Sequence, residues 1–148
     1  ARIFDTPEPH FLKKWWWPAI GPITGVYGSQ RILNGKPGRP HFGIDIAAPE
    51  GTAVIAPTSG IVQLAHTDMY FSGGTIIIDH GFGLTSAFLH LKKLSVKKGQ
   101  RVKRGQTIGT IGSTGRSTGP HLDWRINLFK RRLDPALMMP PMPNAAAR

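Results

Sequence analysis

Apolar residues along this chain recur at every second position, in runs too short for helices and broken by glycine or proline. Residues 23–28 alternate and end in glycine. Residues 53–56 and 60–64 are short apolar runs separated by Pro57-Thr58-Ser59. Residues 75–79 are β-branched, as buried strands are. His80-Gly81-Phe82-Gly83 predicts a hairpin turn into a strand over residues 84–91. Val102 and residues 108–111 predict two more short strands among Gly99, Gly105, Gly109 and Gly112, and residues 121–128 predict the last. Residues 31–40, with two glycines, two prolines and an asparagine, read as a loop. No stretch sustains a 3.6-residue period. The pattern therefore predicts an all-β domain, a twisted antiparallel sheet of short strands with little helix.

Strand parity separates chemistry from core. Side chains of a strand alternate faces, so His121, Asp123 and Arg125 point one way and Leu122, Trp124 and Ile126 the other. The second set is large and apolar and belongs to the core. His41 and Asp45 also share a face, with Gly43 between them leaving room for a metal, and Pro40 and Gly43 argue against a helix there. His90 lies in Phe88-Leu89-His90-Leu91. A zinc ion with an open coordination position takes three nitrogen or oxygen ligands and polar groups around its water. Each of these motifs is weak alone; together they contain the donors such a site needs.

Composition narrows the rest. At 148 residues the chain is long enough for one domain with a sizeable core. A net charge of +11 favours an anionic partner: nucleic acid, a membrane face or an acidic polymer. A nucleic-acid-binding barrel would interleave exposed aromatics with the cations, whereas here the aromatics gather at Trp15-Trp16-Trp17 or hold core parity, as Trp124 does; no nucleic-acid partner is expected. With no cysteine, disulfides and thiolate metal sites are excluded. No apolar run reaches the roughly 20 residues of a membrane span. No signal-peptide pattern is visible, so the sequence is read as a mature or trimmed form. The expected organisation is an N-terminal lead-in over residues 1–20, one β domain over 21–137 and a disordered tail over 138–148. The tryptophans are expected to pack on the domain edge, or on a further N-terminal domain outside this chain, rather than to anchor a membrane interface. The basic run from Lys92 to Arg104 reads as a solvated face.

The motifs in their order resemble the lysostaphin-like or LytM-like metallopeptidases of family M23. The likeness covers roughly residues 21 to 135 and rests on Gly25-Val26-Tyr27-Gly28, His41-Phe42-Gly43-Ile44-Asp45 with the turn after it, Ile78-Asp79-His80-Gly81-Phe82-Gly83, Phe88-Leu89-His90-Leu91, the glycine-punctuated residues 96–109, and Ser113-Thr114-Gly115 through Gly119-Pro120-His121-Leu122. The resemblance implies the duplicated-hybrid-motif type of sheet, a substrate groove floored by it, and one zinc ion per chain. It implies a zinc-dependent endopeptidase that hydrolyses peptide cross-links of bacterial peptidoglycan, working on the peptide stems in the periplasm or cell envelope. By position the zinc ligands would be His41, Asp45 and the residue at 123. His90 and His121 would be catalytic, orienting or deprotonating the zinc-bound water and stabilising the oxyanion. Tyr70, in a loop like one that borders the family's groove, is a candidate substrate contact.

Position 123 departs from the family's usual His-x-His, for here the motif is His121-Leu122-Asp123. An aspartate can ligate zinc, but it is shorter than an imidazole and cancels more of the metal's charge. Arg125, two residues on, is expected to hydrogen-bond Asp123 from behind, orienting it and offsetting its charge. The variant motif keeps open a second function: a catalytically impaired module of this type that binds or activates other cell-wall hydrolases.

Overall fold

The computed structural model describes residues 15–25, 32–33, 36–37, 43–69, 73–113, 119–128, 131–135, 139 and 142. They contain no α-helix. The strands are β1 (Ile23–Gly25), β2 (Ile32–Leu33), β3 (Lys36–Pro37), β4 (Ile44–Ala47), β5 (Ala53–Ile55), β6 (Gly60–Met69), β7 (Gly73–Asp79), β8 (Leu84–Leu94), β9 (Arg101–Val102), β10 (Thr107–Ile111), β11 (His121–Leu128) and β12 (Arg131–Leu133). Ten of them form one antiparallel sheet, ordered β1-β4-β11-β8-β7-β6-β9, with β10 on β8 and β5, and β12 on β11.

The alternation predicted for the last strand holds. Leu122, Trp124 and Ile126 are fully buried on one face of β11, as are Ile44 and Ile46 on β4, which pairs with it from His121↔Ala47 to Trp124↔Ile44. The hairpin at residues 80–83 is also as expected. His80 donates its backbone N–H to the Leu84 carbonyl, and Gly81, Phe82 and Gly83 all take positive φ, 88°, 56° and 79°. Glycine adopts these values freely; Phe82 does so against its Cβ.

Three expectations are corrected. Residues 31–40 are not wholly loop: β2 and β3 pair there, Ile32↔Pro37 and Leu33↔Lys36. β6 and β8 run several residues beyond their predicted ends, and β12 extends the sheet where none was expected. The tryptophan segment does more than sit on an edge. Trp15, Trp17 and Ala19 are buried in the core, Trp15 tilted against Trp124 and Trp17 edge-on to it, with ring centroids 6.5 and 5.9 Å apart. Ile55 N–H donates to the Pro18 carbonyl and Trp16 N–H to that of Pro57, so this stretch is laced to β5 and the loop after it. Within the expected tail, Met139 and Met142 pack against the core. Residues 1–14 and the remainder of the tail lie outside the described residues.

His80 pins the lower end of the sheet. Its Nδ1 lies 2.9 Å from the Ser59 carbonyl, which can only accept, so Nδ1 carries the proton and Nε2 accepts from the Ser86 hydroxyl at 2.7 Å. Its ring packs 4.9 Å from that of Trp15. Burial pushes its pKa down to about 4, against the smaller upward pulls of the Ser59 carbonyl and the Asp79 charge. It is a neutral structural histidine. His66 is exposed on β6.

Candidate metal centre

Three strands bring the expected residues to one place. β11 lies between β4 and β8, so Asp123 stands opposite Asp45 on one side and Leu89, the neighbour of His90, on the other. Cross-strand partners share a face, and the two carboxylates therefore face the same side of the sheet, away from the Ile44, Ile46, Leu122 and Trp124 core.

His90 sits where β8 changes partners. Up to Leu89 the strand pairs with β11; from Leu91 it pairs with β10. The register against β7 shifts across the same residues, between Gly74↔Leu91 and Ile76↔Phe88, which marks a bulge. His90 takes φ 65°, a left-handed conformation rare for a residue with a Cβ, and is 7% exposed. Such strain costs about 1–3 kcal/mol and persists where the surrounding structure dictates it, commonly at functional sites. Gly112 joins the two histidine strands: its N–H donates to the His90 carbonyl, and its carbonyl accepts from His121 N–H, at 3.1 and 3.3 Å. A Cβ on Gly112 would come 2.8 Å from the Lys92 Cβ and N, so only glycine permits this approach. The sequence reading did not assign Gly112; its position just after a predicted strand was the only signal.

The imidazoles of His90 and His121 lie 5.1 Å apart, tilted by 52°. His121 Nδ1 is 2.9 Å from the Gly119 carbonyl. In the neutral ring that bond assigns the proton to Nδ1 and leaves the Nε2 lone pair outward. Nε2 stands 3.7 Å from Asp45 Oδ1, with both side chains mostly buried. Two electron-pair donors thus converge at a separation too long for a direct hydrogen bond, an arrangement suited to a cation or an ordered water.

Asp123 is buried, and Arg125 grips it with both arms of a fork, Nε to Oδ1 at 3.1 Å and Nη2 to Oδ2 at 3.0 Å. The hydrogen bond to Asp123 is the main influence raising the Arg125 pKa; burial opposes it, and the charges of Asp123 and Asp45 add to the rise. The expected contact between Arg125 and Asp123 is therefore present. Gly43, expected to leave room for a metal, lies against this pair. A Cβ there would fall 2.5 Å from Asp123 Oδ1 and 2.8 Å from Arg125 Cγ. The glycine makes room for the ion pair.

The donor chemistry suits zinc, with carboxylates from Asp45 and Asp123, and the His121 lone pair stands beside Asp45 as a base. Among the described residues no three His, Cys, Asp or Glu side chains form a metal-binding group; His41, the remaining expected ligand, lies outside the described residues, as does Tyr70.

Comparison with known proteins identifies the family. The sequence pattern of peptidase family M23 matches residues 39–135. The chain is 46% identical over 87 residues to the peptidoglycan DD-endopeptidase ShyA of Vibrio cholerae, which covers 59% of this chain and 20% of that protein; it spans about a fifth of the length of the curated relatives it matches. A zinc-containing peptidase from Vibrio cholerae superposes with a TM-score of 0.75 at 34% identity, over 86% of this chain and 40% of the other. The catalytic domain of lysostaphin from Staphylococcus simulans does so with a TM-score of 0.69 at 31% identity, over 88% of this chain and 96% of the other. With the family pattern running through β4, β8 and β11, the strands that carry Asp45, His90, His121 and Asp123, the chain belongs to peptidase family M23.

Proposed function

We propose that the chain is a zinc-dependent endopeptidase that cuts peptide cross-links of bacterial peptidoglycan in the cell envelope. The observation that carries this reading is the meeting of Asp45, His121 and the strained His90 across three neighbouring strands, in a chain 46% identical over 87 residues to a protein named as a peptidoglycan DD-endopeptidase. His41, Asp45 and Asp123 would hold one zinc ion. When bound, zinc supplies Lewis acidity for the scissile carbonyl and lowers the pKa of attacking water. His121, with Nδ1 tied to the Gly119 carbonyl, offers Nε2 as the proton acceptor. His90, fixed by the bulge in β8 and next to His121, would hydrogen-bond the oxygen that gains charge as the carbonyl is attacked. Arg125 holds Asp123 in one orientation and offsets the second carboxylate's charge. Tyr70 is proposed as a contact to the peptide stem.

The relatives named as peptidoglycan DD-endopeptidases do not favour the second reading, a non-cleaving module that acts on other wall hydrolases. Zinc quantification alongside muropeptide analysis of digested peptidoglycan separates the two. The enzyme reading expects one zinc per chain in the wild type and in His121→Ala, with cleavage lost on the order of 10²–10⁴-fold in the variant. Stoichiometric zinc with no cleavage by either protein would leave the regulatory reading in its place.

A further inference from the structure

Residues 96–106 contain a short repeat, Val96-Lys97-Lys98-Gly99-Gln100 followed six residues on by Val102-Lys103-Arg104-Gly105-Gln106. The structure folds both copies identically. In each, the glutamine N–H donates to the first lysine's carbonyl, at 3.0 Å for Gln100 to Lys97 and for Gln106 to Lys103. The glutamine side chain closes back on that lysine's N–H, at 3.2 and 3.1 Å. Gly99 and Gly105 hold φ of 90° and 86° at the third position, as a type II turn requires. The valines are buried anchors, and the glycine N–H groups hang the turns from Val62 and Ala56. Lys98 and Arg104 occupy the tips and are exposed, as are Lys103 and, between the turns, Arg101. The sequence has no acidic residue between Asp79 and Asp123.

Large apolar side chains stand beside these cations. Ile61, 41% exposed, pairs across the β6–β9 ladder with Arg101. Phe82, 50% exposed, projects from the β7–β8 turn, which His80 ties to Ser59 at the start of β6. Trp16 is 42% exposed, with the Arg104 guanidinium carbon 4.5 Å from its ring centroid. Ile61 and Arg101 lie at the β9 edge, with β8, β7 and β6 between β9 and β11, and Phe82 stands before the start of β8, at the far end of that strand from His90, so these side chains stand apart from the candidate metal centre.

We infer that this edge is a docking surface for an anionic lipid bilayer, independent of the proposed hydrolytic site. Cations at fixed turn tips meet acidic headgroups, and Phe82, Ile61 and Trp16 reach the boundary with the acyl chains, where their apolar area leaves water. A hydrated polyanion would satisfy the cations but leave those three side chains without gain. Phe82 keeps a backbone conformation that glycine would hold without strain, which a purely structural turn has no need to do.

Vesicle co-sedimentation tests this with the full chain, using phosphatidylcholine alone and phosphatidylcholine mixed with phosphatidylglycerol. The chain should bind only the mixed vesicles, and raised salt should release it. Lys98→Gln with Arg104→Gln should weaken binding by about 30-fold, at roughly 5-fold for each cation near the surface. Phe82→Gly, which suits the turn and so preserves folding, should weaken it by about 10-fold with the salt dependence unchanged. Equal binding to both vesicle types, or undiminished binding by the double variant with an unaltered Tm, would overturn the inference. So would tight binding of soluble polyphosphate that Phe82→Gly leaves untouched and vesicles do not compete for; the surface would then belong to a polymer.

Discussion

Removing the guanidinium of Arg125 exposes how the candidate site is balanced in the absence of metal. Asp123 is 4% exposed and directly opposite Asp45. In Arg125→Met the methionine fills much of the same volume, but the Asp123 carboxylate loses the two hydrogen bonds that Arg125 gives it and faces a second carboxylate across the ladder. Breaking a buried ion pair by deleting one partner costs about 3–5 kcal/mol. Arg125 is 36% exposed, so water reaches part of the gap and the lower end applies, about 3 kcal/mol. For a domain of this size that is a fall in Tm of about 6–12 °C. Adding Asp123→Asn removes the stranded charge and should return most of the loss, since a neutral pair of similar volume replaces a buried ionic one with little penalty. Urea and thermal unfolding followed by circular dichroism, with EDTA present throughout, measure both. A single variant within 1 kcal/mol of the wild type, or a double variant no more stable than the single, would refute the view that Arg125 neutralises a buried charge.

The buried histidine makes stability depend on acidity. His80 titrates near 4 when folded and near 6.5 when unfolded, so its contribution is fully present above pH 6.5 and is lost as pH falls toward 4; the loss is about 3 kcal/mol, and urea midpoints at the two pH values should differ less in His80→Gln than in the wild type. Gly43→Ala places a methyl 2.5 Å from Asp123 Oδ1 and 2.9 Å from the Trp124 carbonyl; it should cost about 1–3 kcal/mol by the same unfolding measurement, and a neutral effect would mean that the ion pair can shift aside.

Much of the architecture was legible because burial imposes a period of two. The parity of Leu122, Trp124 and Ile126 placed His121, Asp123 and Arg125 together on the opposite face, and the contact of Arg125 with Asp123 follows from that parity. What could not be read depends on partners distant in sequence. The left-handed backbone of His90 arises because β8 leaves β11 for β10 at that residue, and nothing in Phe88-Leu89-His90-Leu91 encodes that exchange. At Gly43, sequence spacing does not show that the Arg125 stem crosses over it. Trp15 and Trp17 belong to no alternating run, and their burial depends on the loop at Pro57 and on Trp124. β12 was missed because three residues carry no detectable period.

The indole of Trp15 has a practical consequence for anyone who shortens the chain. The family signature starts at residue 39, so trimming to it deletes Trp15, Trp17 and Ala19 from the interior and leaves Trp124 and His80 facing solvent on the side they now share with those rings. A fragment defined by homology alone would retain every catalytic candidate and still lack the plug that keeps the interior dry.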